Sequence, residues 1–253
     1  MKKSMLIMVI VAAAAVTAFG SEKTRTLTLP AEGLAKVEIS AGAGFLKVSG
    51  VEGAGAVEVR AAIVADGVGD KEMDEYIKDH VELELRKAGS TAVLVGRIRE
   101  HGFSLFHREA RVDLTVTVPK GLAVEIDDGS GDLSVVGVAG GVRIKDGSGD
   151  IEVRDIGGGL RIDDGSGGIE IDGVRGNVEI IDGSGETDVR NVTGDVSIDD
   201  GSGGITLRKI GGTVTIDDGS GTLRIDDVGK DVRIEHKGSG SVEITNVRGQ
   251  VIR

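Results

Sequence analysis

The tetrapeptide Asp-Gly-Ser-Gly begins at Asp128, Asp146, Asp164, Asp182, Asp200 and Asp218, each 18 residues after the one before. A variant, Lys-Gly-Ser-Gly, follows at Lys237 after 19. So regular a recurrence makes the chain a stack of like units, because one such unit cannot bury its apolar face without neighbours. A finer period of nine runs through residues 127 to 253, with glycine at the fifth place and apolar residues at the seventh and ninth. The glycines are Gly131, Gly140, Gly149, Gly158, Gly167, Gly176, Gly185, Gly194, Gly203, Gly212 and Gly221. Lys230 breaks the series, and one inserted residue near Lys237 to Gly240 restores the phase at Gly249.

Apolar residues alternate after each glycine, which is the period-2 signature of a strand. Helices are excluded in this stretch, since pairs at i and i+2 separated by Gly-Ser-Gly fit no 3.6-residue face and each helical glycine costs about 1 kcal/mol. Each unit offers five inward aliphatics, for example Leu133, Val135, Val138, Val142 and Ile144. These fill a narrow interior when units stack at the inter-strand spacing of about 4.8 Å. The expected fold is therefore all-β: a parallel β-solenoid with 18-residue coils, forming a rod on the order of 35 Å long. Composition agrees. The chain has 42 glycines, four Phe, one Tyr and no Trp, so its core is built from small aliphatics in a lattice and not from large rings.

A weaker copy of the pattern lies nearer the N-terminus. Thr26-Leu-Thr-Leu-Pro30 with Gly33 to Ile39 matches Thr115-Val-Thr-Val-Pro119 with Gly121 to Ile126, and Ser40 to Val59 repeats the coil pattern. The solenoid is thus expected to begin near residue 25. Residues 60 to 112 read as a small α+β excursion near that end. It holds a short helix over Asp70 to Asp79, strands over Val81 to Arg86 and Ala92 to Arg99, and a loop over His101 to His107. One domain over residues 21 to 253 is expected, with 121 to 253 its regular part.

Residues 1 to 20 read as a secretory signal peptide. Lys2 and Lys3 precede an uninterrupted apolar run from Met5 to Val16, and Ala18-Phe19-Gly20 puts small residues at the cleavage positions before Ser21. The run is short for a membrane span, and no second one follows, so the mature chain is expected to be exported without a span. No cysteine is present, which removes disulfides, thiol nucleophiles and thiolate zinc sites. The net charge of -12 argues against nucleic acid and anionic lipid. All of it lies on the repeats: residues 121 to 253 hold 26 acids and 14 bases, whereas residues 1 to 120 hold 16 of each.

The Val-Pro-x-Gly segment at Val118 to Gly121, followed by repeated Gly-Ser-Gly-[Asp/Gly]-[Ile/Leu]-x-[Val/Ile], resembles the bacterial putative-adhesin domain of unknown function, a relative of the auto-transporter adhesin head domain. The similarity covers most of residues 25 to 253. It implies a right-handed parallel β-helix on an exported or surface protein, and it brings no catalytic residues with it.

The periodicity limits the candidate chemistry. Aligning Gly129-Ser130-Gly131 on the calcium-binding nonapeptide of RTX proteins puts Leu133 where the ligand Asp belongs, so that site is absent. Stacking does set the six repeat aspartates in a column, where hard cations would relieve repulsion. The favoured reading is an Asx-turn at each corner, with the carboxylate accepting from the following amides and solvent and salt screening the charge. The repeat serines recur with every coil, and a nucleophile does not. His101 and His107 could share a metal, but spacing indicates no third ligand. No cofactor and no metal are called for.

Recognition is expected on the excursion loop, at Phe103, Phe106 and Arg108, because interfaces favour aromatics and Arg. The competing role for the two Phe is a lid over the solenoid end. Together the residues describe an exported, non-enzymatic structural or adhesion-type module of the bacterial envelope, in the periplasm or at the cell surface. Its partner would be an envelope polymer or protein. The alternative is a carbohydrate-active β-helix enzyme with its site on residues 60 to 112, involving His101, His107 or Glu109.

Overall fold

The computed structural model describes residues 21–99 and 110–253. Two 11-stranded sheets face each other and enclose the aliphatic core between them. The N-terminal part contributes β1 (Ser21–Pro30), β2 (Lys36–Ala41), β3 (Leu46–Val51), β4 (Ala56–Ala65), the helix α1 (Met73–His80), β5 (Val81–Ala88), β6 (Thr91–Ile98) and β7 (Ala110–Pro119). Beyond β8 (Ala123–Asp128) and β9 (Leu133–Val136) the chain alternates between sheets. One sheet receives β11 (Ile151–Ile156), β13 (Ile169–Val174), β15 (Gly185–Val192), β17 (Gly203–Ile210), β19 (Leu223–Val228) and β21 (Val242–Val247). The other receives β10 (Val142–Asp146), β12 (Leu160–Asp164), β14 (Val178–Asp182), β16 (Val196–Asp200), β18 (Val214–Ser220), β20 (Val232–Ser239) and β22 (Val251–Ile252).

The result is the parallel β-solenoid with 18-residue coils. Registers join identical places of successive units, as in Val142↔Leu160↔Val178↔Val196↔Val214↔Val232. Leu133, Val135, Val138, Val142 and Ile144 are all buried. Each aliphatic therefore sits directly above its counterpart, and the core is a set of columns.

Two details differ from the sequence expectation. The inserted residue of the last unit lies earlier than Lys237. Ile216 pairs with Ile234 but Asp217 pairs with His236, so the bulge falls at Glu235. A single-residue bulge flips nothing after it only if it restores the inward set, and this one seats Lys237 opposite Asp218. The helix also starts later, at Met73, because the Glu72 amide first closes a turn onto the Gly69 carbonyl.

The N-terminal part closes the rod. β6 pairs parallel with β2, and β7 pairs parallel with β3, forming a further coil beyond β2 and β3. β1, β4 and β5 add antiparallel strands outside it. The two matching segments, Thr26 to Pro30 and Thr115 to Pro119, thus lie on either side of β4 in one sheet, with Leu27 and Val116 both opposite Val59. Residues α1 buries or half-buries, Met73, Tyr76 and Ile77, pack on this end, and Arg25 of β1 donates to Asp74 Oδ1 at 2.7 Å.

Candidate functional site

Phe103, Phe106 and Arg108 lie outside the described residues, as do His101, His107 and Glu109. What the structure assembles instead are two linear arrays, one inside the rod and one on its surface.

The inner array is the aspartate column. The alternation of β10 that turns Val142 and Ile144 inward also turns Asp146 inward, two residues further along. The same holds at every coil, so Asp128, Asp146, Asp164, Asp182, Asp200 and Asp218 are each no more than 4% exposed. The sequence reading placed these carboxylates where solvent and salt would screen them, and burial corrects that part. Four of the six carboxylates accept from a following amide, two of them, Asp182 and Asp200, in the Asx-turn geometry that bonds the amide two residues on. Asp128 Oδ1 accepts from the Gly129 amide at 2.9 Å and Asp146 Oδ1 from the Gly147 amide at 2.9 Å. Asp182 Oδ1 accepts from the Ser184 amide at 3.0 Å and Asp200 Oδ1 from the Ser202 amide at 3.1 Å. The second oxygen of each of these four has no hydrogen-bond partner, and neither oxygen of Asp164 or Asp218 has one.

Burial with at most one amide donor for each carboxylate disfavours the charged form. It pushes Asp128 up to about 7, and Asp146, Asp182 and Asp200 to about 6, with the neighbouring column carboxylate adding to the effect in each case. Asp164 is raised by the same burial, partly opposed by the nearby Ser166 and Gly165 amides. The column ends on a cation. Lys237 Nζ lies 3.3 Å from Asp218 Oδ2, with both side chains largely buried, so the one repeat that replaces Asp by Lys neutralises the last rung.

Among the described residues no three His, Cys, Asp or Glu side chains converge as metal ligands would. Each rung contributes one carboxylate, about 4.8 Å from the next. Calcium is accordingly expected to raise the melting temperature no more than sodium at equal ionic strength; saturable micromolar binding by calorimetry would contradict this.

The outer array lies on the opposite side of β11, β13, β15 and β17. The outward row Ser134, Glu152, Glu170, Asp188, Thr206 and Arg224 is in register from coil to coil. Read alone it is irregular and acidic. The structure supplies its counter-charges from two residues further along β11, β15 and β17, while the same place on β13 holds Asp172. Arg154 pairs with Glu152 and reaches Glu170 at 3.6 Å; Arg190 contacts Glu170 at 2.6 Å and Asp172 at 3.0 Å; Arg208 contacts Asp188 at 3.2 Å. The Arg190 guanidinium holds the Glu170 carboxyl below its ordinary range. Asp172 is likewise lowered, first by a hydrogen bond from Asn191 and then by Arg190. Single exposed pairs of this kind contribute little, but a network shares the ordering cost of each side chain.

Beside this network a shallow open depression of about 420 Å³ is lined by Asp150, Glu152, Glu170, Glu186, Asp188 and Arg190 over Gly168. Five carboxylates and one guanidinium make its potential negative.

A model of the family described as Toastrack DUF4097 matches residues 71–251. The chain belongs to that family. The match spans α1 and the whole regular stack and leaves out β1 to β4. No curated protein matches the Toastrack chain. Solved structures similar to it include a putative cell adhesion protein from Clostridium sporogenes, 15% identical, with 89% of this chain and 99% of that one covered and a TM-score of 0.33. A putative adhesin from Bacteroides fragilis is 11% identical over 91% of this chain and 97% of its own, with a TM-score of 0.43. A putative lipid binding protein from Parabacteroides distasonis is 13% identical over 92% and 97%, with a TM-score of 0.35.

Proposed function

We propose that this Toastrack chain is an exported, non-enzymatic β-solenoid that serves as a structural or adhesion-type module of the bacterial envelope. The outer array carries the proposal. A face that sets carboxylate and guanidinium groups on successive rungs, with no cleft about them, suits contact with an extended polymer or a partner surface bearing both charges better than it suits a reacting centre. Residues 1 to 20 support export through their basic, apolar and small-residue segments. No helix among the described residues is long and apolar enough to cross a membrane. The periplasm or the cell surface is the matching compartment.

The test is capture from envelope extract by the purified protein, compared with a variant carrying Arg154→Glu, Arg190→Glu and Arg208→Glu. Capture should fall at least tenfold in the variant while its melting temperature shifts by only a few degrees, since the pairs are exposed. Turnover of any member of a broad glycan panel would instead favour the carbohydrate-active alternative.

A further inference from the structure

The repeat that carries Lys237 departs from the others in two ways that act together. It has Lys where the six before it have Asp, and it has one extra residue. The bulge at Glu235 uses that residue to set Lys237, and not His236, opposite Asp218. Lys237 thereby takes the place that Asp182, Asp200 and Asp218 hold on the rungs before it. Its Nζ lies 3.3 Å from Asp218 Oδ2, with the two side chains 11% and 0% exposed. The contact is not a hydrogen bond: neither oxygen of Asp218 has a hydrogen-bond partner, and Nζ donates instead to the Ser239 carbonyl at 2.5 Å. Asp200 stands in register with Asp218 on the adjacent rung, and its Oδ2 is also without a partner. Ile216 and Ile234, the inward residues that precede the pair on β18 and β20, are buried.

We propose that this pair condenses to an intramolecular amide bond, Lys237 Nζ to Asp218 Cγ, which ties β20 to β18 across the bulge. Two ions in contact away from water carry a desolvation cost that their attraction offsets only in part. A proton passing from the ammonium to the carboxylate removes both charges and leaves an amine facing a carboxylic acid. In water, ionisation of the two groups opposes their condensation. Inside the rod they are held together, and well-oriented intramolecular partners reach effective concentrations of about 10⁵ M or more. The Ser239 carbonyl holds one N–H of the amine and leaves its lone pair for Asp218 Cγ. As the N–C bond forms, the nitrogen gives a proton to Asp200 Oδ2. As the bond from Cγ to the Asp218 hydroxyl oxygen breaks, Asp200 gives a proton to that oxygen, which leaves as water, and nothing is oxidised or reduced. Burial raises the Asp200 carboxyl to about 6, which suits it to take up and return a proton near neutral pH. This relay sets how fast the bond forms; the amide itself is kept because it is neutral and water is excluded from it.

The test is a tryptic peptide map of the purified full chain after denaturation, read by tandem mass spectrometry. Most of the chain should yield a branched species in which the segment Ile210 to Arg224 is joined to Ile234 to Arg248, lighter by one water than the two segments together and uncut after Lys237. Fragmentation should place the junction at Asp218 and Lys237. Lys237→Arg keeps the positive charge but offers no amine, and it should give the two regions unjoined, as should Asp218→Ala. The unaltered chain decides the question by itself, so the test survives a variant that folds poorly. Unjoined segments from the unaltered chain, or a branched species that persists in Lys237→Arg, would overturn the proposal. So would a water loss confined to Ile210 to Arg224, which a cyclic imide at Asp218-Gly219 would produce without any cross-link.

Discussion

Alanine at Gly167 should destabilise the rod by roughly 4 kcal/mol or more, while alanine at Gly168 should be close to neutral. The two residues are adjacent in sequence and differ in what a Cβ would meet. At Gly167 φ is +144°, and a Cβ would lie 1.8 Å from the carbonyl oxygen of Gly149 on the preceding coil. That atom is backbone, fixed by its own ladder, so the coils would have to separate and forfeit the contacts that hold them at rung spacing. At Gly168 the backbone is ordinary and the nearest atom is Asp150 Oδ1 at 3.1 Å, the end of a surface side chain. There the loss of unfolded-state freedom works in alanine's favour. Since about 1 kcal/mol moves the melting temperature of a chain this size by 2 to 4 °C, Gly167→Ala should lower it by about 10 °C or more in a thermal scan. Equal effects at the two positions would contradict the stacking geometry. The same column runs through Gly131, Gly149, Gly185, Gly203 and Gly221, where a Cβ would come within 1.4 to 2.1 Å of a carbonyl oxygen.

Raising the pH from 5 to 8 at constant ionic strength should lower the melting temperature by roughly 10 °C, the reverse of what a surface rich in carboxylates would suggest. The column aspartates are the cause. The folded-state values of Asp128, Asp146, Asp182 and Asp200, about 6 to 7, lie above the ordinary carboxyl value of about 3.9, and Asp164 is shifted in the same direction. A raised acid binds its proton more tightly in the folded chain, so its stabilisation is fully present below about pH 4 and is lost as pH rises through 6 to 7. The groups around the column reinforce the direction. The facing side chains of the opposite sheet, Leu133, Ile151, Ile169, Ile205 and Leu223, are aliphatic, and Thr187 is uncharged. Neighbouring Asp127, Asp163, Asp150 and Asp199 add negative charge, and Lys237 compensates only the last rung.

Acid sets the opposite limit. Asp74, Glu170, Asp172 and Asp226 are held below their ordinary values by hydrogen-bonded and cationic partners, and their stabilisation is lost as pH falls through those lowered values. The optimum should therefore lie near pH 4, where the raised acids still contribute and the lowered ones have not yet lost their partners. Replacing Asp182 and Asp200 by Asn retains the acceptor of each Asx-turn and removes the charge. The double variant should melt higher than the parent at pH 8 and show a flatter pH profile; an unchanged profile would show that the column does not titrate in this range.

The solenoid was legible because its determinants are local and recur. Alternation sets which residues turn inward, Gly-Ser-Gly sets the corner, and an 18-residue period leaves only stacking to bury the faces. Leu133, Val135, Val138, Val142 and Ile144 could be assigned to the core from one unit and carried to the rest. Other features depend on the distance between coils, which no single unit encodes. One is a left-handed backbone position that recurs at Gly137, Asp155, Gly173, Asn191, Lys209, Asp227 and Asn246. Its Gly, Asp and Asn members carried a signal in the sequence, since these residues adopt that conformation most readily, but Lys209 hid it.

The candidate sites divide along the same line. That the repeat aspartates form a column follows from spacing alone. That the column faces the core depends on Asp146 continuing the inward parity of Val142 and Ile144 through the strand end, and a corner residue can turn either way until the opposing sheet is in place. The charge balance of the outer row came from Arg154, Arg190 and Arg208, which share one place of the repeat with Asp172 and meet Glu170 and Asp188 mostly across rungs. The closed end is also a tertiary fact. Sequence marked residues 60 to 112 as a departure from the period, whereas only the packing of β1, β5 and α1 against β4, β6 and β7 made that departure a cap, because burial at an end is decided by which strands come last in space and not by which come first in the chain.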